Sequence, residues 1–367
     1  MTKKSSEFFT VSATLSIGVL ALWAGILPQK SAYALTDAEI FMLKGPDRQR
    51  VLLDGAAKEG RVVFYSEMIV NQAMRPIAEA FGRKYPAVKA EYWRGTTTAI
   101  IQKVLNERRA NAIASDVVEG GGLAIPLIKG GALSAFQSPE LEGYPEGYRD
   151  PDNLWGPSRI SYFGMAYNTR QVSESEAPNT YEALLDPRWK GNIAWHAGGS
   201  QGASLFIGNI MASMGNKGED YLRKLGQQQI VNYADSARAL VDRVGQGEYM
   251  MAINIFAHHP LISAAQGAPL DVKMMQPIAS NMSTVHLTKG GPHPHAAMLF
   301  VDFILSRDGQ GVLRDAEYLP VHPQVEPGDS IKRIVPRLIG AKETVFTPQR
   351  LSDSQERANG LFDKYFK

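Results

Sequence analysis

Four clusters of small and polar residues in this chain each follow a run of β-forming residues, and a fifth opens a helical segment. The four are Tyr65-Ser66-Glu67, Arg94-Gly95-Thr96-Thr97-Thr98, Glu119-Gly120-Gly121-Gly122 and Gly198-Gly199-Ser200-Gln201; the fifth is Asp235-Ser236-Ala237-Arg238. Glycine lets a ligand come close to the backbone, and Ser and Thr hydroxyls supplement the free N–H groups of a helix start. An open parallel sheet binds ligands at the carboxyl ends of its strands, beside the helices that follow. These clusters suit an anion or a strongly polar ligand. One alone is an ordinary cap or turn, so the functional argument rests on their recurrence in both halves of the chain.

Two sharper chemistries deserve a test against the residues. Gly198-Gly199-Ser200-Gln201-Gly202 matches G-x-S-x-G between a strand and a helix, the context of a hydrolase nucleophile elbow. A secreted serine hydrolase with Ser200 as nucleophile is therefore the alternative function. No HGGG-type oxyanion segment stands upstream, and no isolated Asp and His complete a triad, so a binding protein rather than an enzyme is expected. The histidines form two clusters, His258-His259-Pro260 and His293-Pro294-His295, with His286 and His322 nearby. Neither cluster has the i, i+4 spacing of a zinc site, and both read as exposed loops. No metal site and no cofactor are expected. The chain has no cysteine, which excludes disulfides, Fe–S clusters, thiol nucleophiles and a lipid-modified cysteine.

The elements that must position these clusters alternate from residue 47 onward. DRQRVLLDGAAKEG reads as an amphipathic helix stopped by Gly60, and RVVFYS as a buried parallel strand. Helix, strand, helix, strand and helix follow in NQAMRPIAEAFGRKYP, AVKAEYWR, TTTAIIQKVLNERRANA, SDVVEG and GLAIPLIKGG. That is the β-α-β pattern of a parallel sheet flanked by helices. Residues 138–157, rich in Pro, Gly and Tyr, read as a surface loop. A second α/β block resumes with the strand RISYFGMAYNT and the strand NIAWHA, and ends in one long helix, PHAAMLFVDFILSRDGQGVLRD.

At the amino end, Lys3 and Lys4 precede an uncharged stretch from Phe8 to Leu27, and Ala32-Tyr33-Ala34 supplies an A-x-A cleavage signal. A signal peptide over 1–34, cleaved after Ala34, and export to the periplasm are expected. Without it, basic and acidic side chains balance, so neither nucleic acid nor anionic membrane is indicated as a partner. The expected organisation is a first part of lobe 1 over 35–157 and lobe 2 over 158–278. A return segment over 279–330 contributes to lobe 1 and the hinge, and a helical tail covers 331–367.

The order and spacing of several short motifs resemble those of bacterial extracellular solute-binding proteins. They are the YSE after the first strand, GTTT, SDVVEG followed by KGGALSAF, SYFGMAYNT, DPRWKG, and TKGGPHPHAAMLFVDFILSRDGQGVL, over about residues 58–325. The similarity is to the ferric-iron-binding branch of the type II periplasmic binding proteins. It implies two α/β lobes, each a mainly parallel sheet flanked by helices, joined by hinge strands and closing on one ligand. It also implies a monomer that delivers its ligand to a membrane ABC permease. Carried over by position, Tyr65, Ser66, Thr96, Thr97, Glu119 and Gly120 would bind the ligand from the first lobe. Gly199, Ser200, Gln201, Ser236, Arg238, Asn254 and Phe256 would do so from the second. Ferric-ion binders carry adjacent tyrosines near the last of these, whereas this chain has MMAINIFAHHP, with Tyr249 standing alone before it. Iron(III) is a hard cation that wants phenolate or carboxylate oxygen. The implied ligand is therefore a small polar or anionic solute or a metal chelate, with Arg238 as the partner for its charge.

Overall fold

The computed structural model describes residues 35–198 and 201–367. The signal peptide assigned to residues 1–34, and Gly199 and Ser200 of the candidate site, lie outside the described residues. Among those described, no helix is long and apolar enough to cross a membrane.

The first half begins with α1 (Asp37–Phe41), α2 (Arg48–Glu59), β1 (Arg61–Ser66), α3 (Arg75–Lys84) and β2 (Lys89–Arg94). It continues through α4 (Thr97–Arg109), β3 (Val117–Gly121), α5 (Ala124–Lys129), the short β4 (Leu133–Ser134) and the long β5 (Gly156–Asn168). After it come β6 (Ile193–His196), α6 (Ala203–Met214), α7 (Gly218–Gly226), β7 (Val231–Tyr233), α8 (Ala237–Gln246) and β8 (Met251–Phe256). The chain ends with α9 (His258–Ala265), β9 (Leu270–Lys273), β10 (Ile278–Thr288), α10 (Pro294–Leu305), α11 (Arg307–Asp315), α12 (Pro336–Ile339), β11 (Glu343–Phe346) and α13 (Pro348–Phe366).

Two lobes share one sheet of order β2-β1-β3-β10-β5-β8-β6-β7. Within lobe 1, β1 pairs parallel to β2 and β3; within lobe 2, β6 pairs parallel to β7 and β8. The antiparallel pairs belong to the strands that cross between lobes. The first part of β5 pairs with β10, and its second part with β8 and β9. All thirteen residues of β5 and all eleven of β10 are buried. Burial of both faces is the reason β5 shows no regular alternation of polar and apolar residues.

In lobe 1, Leu52, Phe64, Phe81 and Phe300 belong to one apolar core that unites α2, β1, α3 and α10. Val118, Ile100 and Leu127 form the smaller core on the side of α4 and α5. In lobe 2, Trp195, Phe206, Leu222 and Leu361 pack α6, α7 and α13 together. The last 37 residues therefore do more than form a helical tail: β11 adds parallel to β10, and α13 packs on α6 and α7. The 138–157 segment is also anchored, because Leu141, Tyr144 and Trp155 are buried and the Tyr144 hydroxyl donates to the Leu305 carbonyl at 2.8 Å.

The long helix expected over 294–315 is broken at Ser306, whose extended backbone ends α10 and whose hydroxyl caps α11 at the Gly309 N–H. Gly309 makes the corner possible. A Cβ there would lie 2.0 Å from the Phe303 carbonyl oxygen, a backbone atom that cannot swing aside. Gly309→Ala is expected to cost about 3 kcal/mol, the scale of an overpacked interior, read from the urea midpoint. A shift no larger than that of the solvent-facing Gly311→Ala would contradict the corner as described, since nothing lies near a Cβ at Gly311.

The histidines correct the exposed-loop expectation. His258 and His259 open α9 and are buried, with Pro260 in the first turn, where a missing N–H costs nothing. His286 is buried in β10, and His293 and His295 pair with Asp116 and Glu59 at the start of α10. Histidine beside proline marks helix starts here, not loops.

Candidate ligand-binding cleft

Two capped helix starts from opposite lobes face one cavity of about 290 Å³. Thr96 caps α4, its hydroxyl accepting the Ala99 N–H, and Ser236 caps α8 in the same way through the Ala239 N–H. Each cap satisfies one N–H of the first turn. The N–H groups of Thr97 and Thr98, and of Ala237 and Arg238, have no acceptor among the described residues. All six of these residues line the cavity. Each helix start contributes roughly half a positive charge to it.

Arg94 stands at the rim. Its Nε donates to the Met68 carbonyl at 3.1 Å, and its terminal nitrogens have no carboxylate partner among the described residues. Arg238, the expected charge partner, is used otherwise. It donates to the His259 carbonyl, to Asp242 at 3.0 Å and to the Ser263 hydroxyl at 2.7 Å, so its own lobe already neutralises it. An Asp four residues on along the same helix could have signalled this.

Beneath the cavity lies a buried charged cluster. Arg159 donates from Nε to Glu119 at 3.1 Å, from Nη2 to Glu67 at 3.0 Å and from Nη1 to the Ser161 hydroxyl at 3.1 Å. Burial opposes its charge, but the facing Glu119 and Glu67 carboxylates outweigh that and hold the guanidinium more firmly protonated. Glu119 is closed off further by hydroxyl donors from Ser66 and Ser158, each at 2.6 Å.

The remaining wall is aromatic. Phe256, His258, His259 and Tyr318 line it, with the two imidazole centroids 4.6 Å apart. Burial first, and then the positive charges of Arg159 and Arg238, push His258 down to about 3. His259 is lowered by burial, by His258 and by the same arginines together with Arg94. Both rings are neutral near pH 7, and both nitrogens of His258 and Nδ1 of His259 lack a partner among the described residues.

The structure thus brings Thr96, Thr97, Gln201, Ser236, Arg238 and Phe256 of the expected site to one cavity. It does not bring Tyr65, Ser66, Glu119, Gly120 or Asn254 to the cavity wall. Tyr65 packs instead against the body of α4, where its hydroxyl donates to Glu107 at 2.8 Å. Ser66 and Glu119 belong to the buried cluster below, and the Gly120 carbonyl accepts from Thr284. Asn254 acts through its neighbours: with φ at 53°, its amide donates to the Gln201 and Gly202 carbonyls at 3.0 and 2.7 Å, fixing the entry to α6.

Glu67 and Arg94 lay inside the strand-end clusters without being chosen, whereas Arg159, His258, His259 and Tyr318 were missed. An arginine as the one charged residue of the otherwise uncharged β5 was the available signal for the first of these. The carboxylates nearest the cavity, Glu67 and Glu119, are tied to Arg159, and neither bonds a histidine. Beside the G-x-S-x-G segment, His196 lines the cavity with the Asp235 carboxylate nearby, but no hydrogen bond joins the two among the described residues.

The relatives agree with this architecture. The profile of the bacterial extracellular solute-binding protein family matches residues 120–337. An uncharacterised protein of Haemophilus influenzae is 25% identical over 323 residues, covering 84% of this chain and 87% of its own length. Iron uptake protein A1 of Synechocystis is 24% identical over 204 residues, covering 51% of this chain and 56% of that protein. Among solved structures, the periplasmic binding protein AfuA of Actinobacillus pleuropneumoniae, with exogenous fructose-6-phosphate bound, is 26% identical with a TM-score of 0.71. It covers 84% of this chain and 99% of that one. Iron-bound HitA of Pseudomonas aeruginosa, at 19% identity and a TM-score of 0.69 over 83% and 99% of the two chains, shares the fold. With this two-lobed fold and this profile match, the chain belongs to the bacterial extracellular solute-binding proteins, in the branch similar to the ferric-iron-binding proteins.

Proposed function

We propose that this protein is the periplasmic receptor of an ABC importer and captures a small anionic solute, of which a phosphate ester of a hydroxylated compound fits best. The observation that carries this reading is the convergence of two helix starts, α4 and α8, with Arg94 on one cavity. Free N–H groups and an uncommitted guanidinium favour oxyanions and repel a bare cation. The aromatic wall suits the rest of such a ligand. Neutral imidazoles can donate to or accept from hydroxyls, while Phe256 and Tyr318 offer apolar ring surface to C–H groups. AfuA, bound to fructose-6-phosphate, is a relative whose ligand has this division into an anionic end and a hydroxylated body.

Bare Fe(III) fits the donors poorly. It needs several phenolate or carboxylate oxygens. Here Glu67 is committed to Arg159, and the buried Tyr318 hydroxyl accepts the Ile69 N–H at 3.0 Å. The chain is further proposed to be cleaved after Ala34, to act as a monomer and to hand its solute to a membrane permease.

The test is a thermal-shift and calorimetry panel on residues 35–367 with fructose-6-phosphate, glucose-6-phosphate, inorganic phosphate, citrate, ferric citrate and ferric ion. A phosphate ester is expected to raise the melting temperature by mass action. Arg94→Gln is expected to weaken its binding about 10–100-fold, the worth of one charge-assisted hydrogen bond pair. A shift with ferric ion and none with any anion would reverse the assignment.

A further inference from the structure

Glu67 leaves the end of β1 and enters the cavity, where donors surround its carboxylate. Oε1 accepts the Gly121 N–H at 3.0 Å, Arg159 Nη2 at 3.0 Å and Gln201 Nε2 at 3.3 Å. Oε2 accepts the Thr97 hydroxyl at 2.7 Å and Gln201 Nε2 at 3.4 Å. Gly121 and Thr97 belong to lobe 1, Arg159 to the crossing strand, and Gln201 to lobe 2. A backbone amide, a hydroxyl in the first turn of a helix, a guanidinium and a carboxamide are the donors that a bound anion would want. One carboxylate of the chain holds them all, and by doing so it ties the two lobes together.

The tie is built to yield on one side. Gln201 Nε2 spreads over Glu67, the Thr97 hydroxyl at 3.5 Å and the Gly121 carbonyl at 3.2 Å, all long contacts. Its Oε1 is buried without a partner among the described residues. On the other side the bond is short but exclusive, because the Thr97 hydroxyl has one proton to give. It can serve Glu67 or an incoming oxyanion, not both.

We infer that Glu67 is a built-in surrogate for the ligand: without solute its carboxylate bridges the lobes through Thr97 and Gln201, and the captured anion takes those two donors over. Glu67 thereby lowers the affinity of the site and sets how far the receptor closes before binding. This rests on the anion reading of the cleft, since only an anionic ligand competes for these donors.

The experiment pairs Glu67→Gln with Gln201→Leu in the mature protein. Arg159 keeps Glu119 in both, so the buried cation stays paired. Fluorophores on Lys58 and Lys224, one on each lobe, report the interlobe distance, and calorimetry with fructose-6-phosphate reports affinity. Both variants are expected to widen the interlobe distance without ligand. Glu67→Gln is expected to bind the ester about tenfold more tightly, the scale of one partly screened like-charge contact removed. An unchanged distance in both variants, or an affinity that fails to rise in Glu67→Gln, overturns the inference. If no anion binds even the unaltered protein, the anion reading fails, while the distance measurement still decides whether Glu67 holds the lobes.

Discussion

Replacing Arg159 by Met is expected to cost about 3–5 kcal/mol, a large part of the 5–15 kcal/mol that typically holds a protein folded. Its side chain is 3% exposed, and Glu119 beside it is 2% exposed. The guanidinium makes one bond to each of two carboxylates and lies 5.3 Å from the Tyr318 ring. Methionine fills much of the volume but leaves two carboxylates in a low-dielectric site with no cation between them. The penalty is that of uncompensated buried charge, not of a lost contact. Glu119→Gln is the milder comparison. It leaves Arg159 paired with Glu67 and keeps the acceptors near Ser66 and Ser158 in part, so about 1–2 kcal/mol is expected. Urea midpoints of the two variants decide the matter, and an Arg159→Met no less stable than Glu119→Gln would refute the account. Because β5 carries Arg159 and pairs with strands of both lobes, the loss is expected in one cooperative transition.

What the sequence made legible follows from how local each signal is. The β-α alternation through β3 and α5 could be read because each helix has its own apolar stripe and its own stop, such as Gly60 at φ 72° after α2. The capped starts Thr96 and Ser236 could be read because a cap is a local motif. The faces of the strands could not. Just past β1 the cavity is reached by Glu67, while Tyr65 packs among Ile100, Val104 and Lys103 of α4. A strand covered on both faces gives no alternation from which to choose between them. The break at Ser306 was hidden for a related reason: α10 and α11 continue one apolar period across a capping serine. Nor could any local pattern tell that the carboxylate partner of Arg159 would be Glu119, forty residues earlier in the chain. The fate of Arg238 was readable in principle from Asp242, one turn along the same helix.

Acid is expected to unfold this protein well before its carboxylates are protonated. Burial pushes His258 down to about 3, with Arg159 and Arg238 adding to it, and burial pushes His286 down to about 4. His259 is lowered in the same sense. In the unfolded chain these rings titrate near 6.5. Below that pH the unfolded state binds protons that the folded state refuses until roughly pH 3–4, so stability that is complete above about pH 6.5 is lost as the pH falls through this window. His258 and His286 each contribute a loss of about 2 kcal/mol by pH 5, and His259 adds to it in the same sense. Asp116 and Asp302 work the other way, because burial raises them, but they matter only nearer the carboxylate range. His286 offers the cleanest test. Its Nδ1 lies 3.1 Å from the Leu154 carbonyl and its Nε2 2.8 Å from the Thr284 hydroxyl, so the neutral ring with a proton on Nδ1 satisfies both. A second proton on Nε2 would turn the Thr284 hydroxyl from donor to acceptor, its own proton swinging to the Gly120 carbonyl, so burial of the charged ring is what refuses it. The urea midpoint is expected to hold from pH 8 to about pH 6.5 and to fall steeply from there to pH 5, and His286→Gln is expected to remove about one proton from that slope. A flat profile over this range, or a slope that His286→Gln leaves unaltered, would show that the buried rings are not what acid attacks.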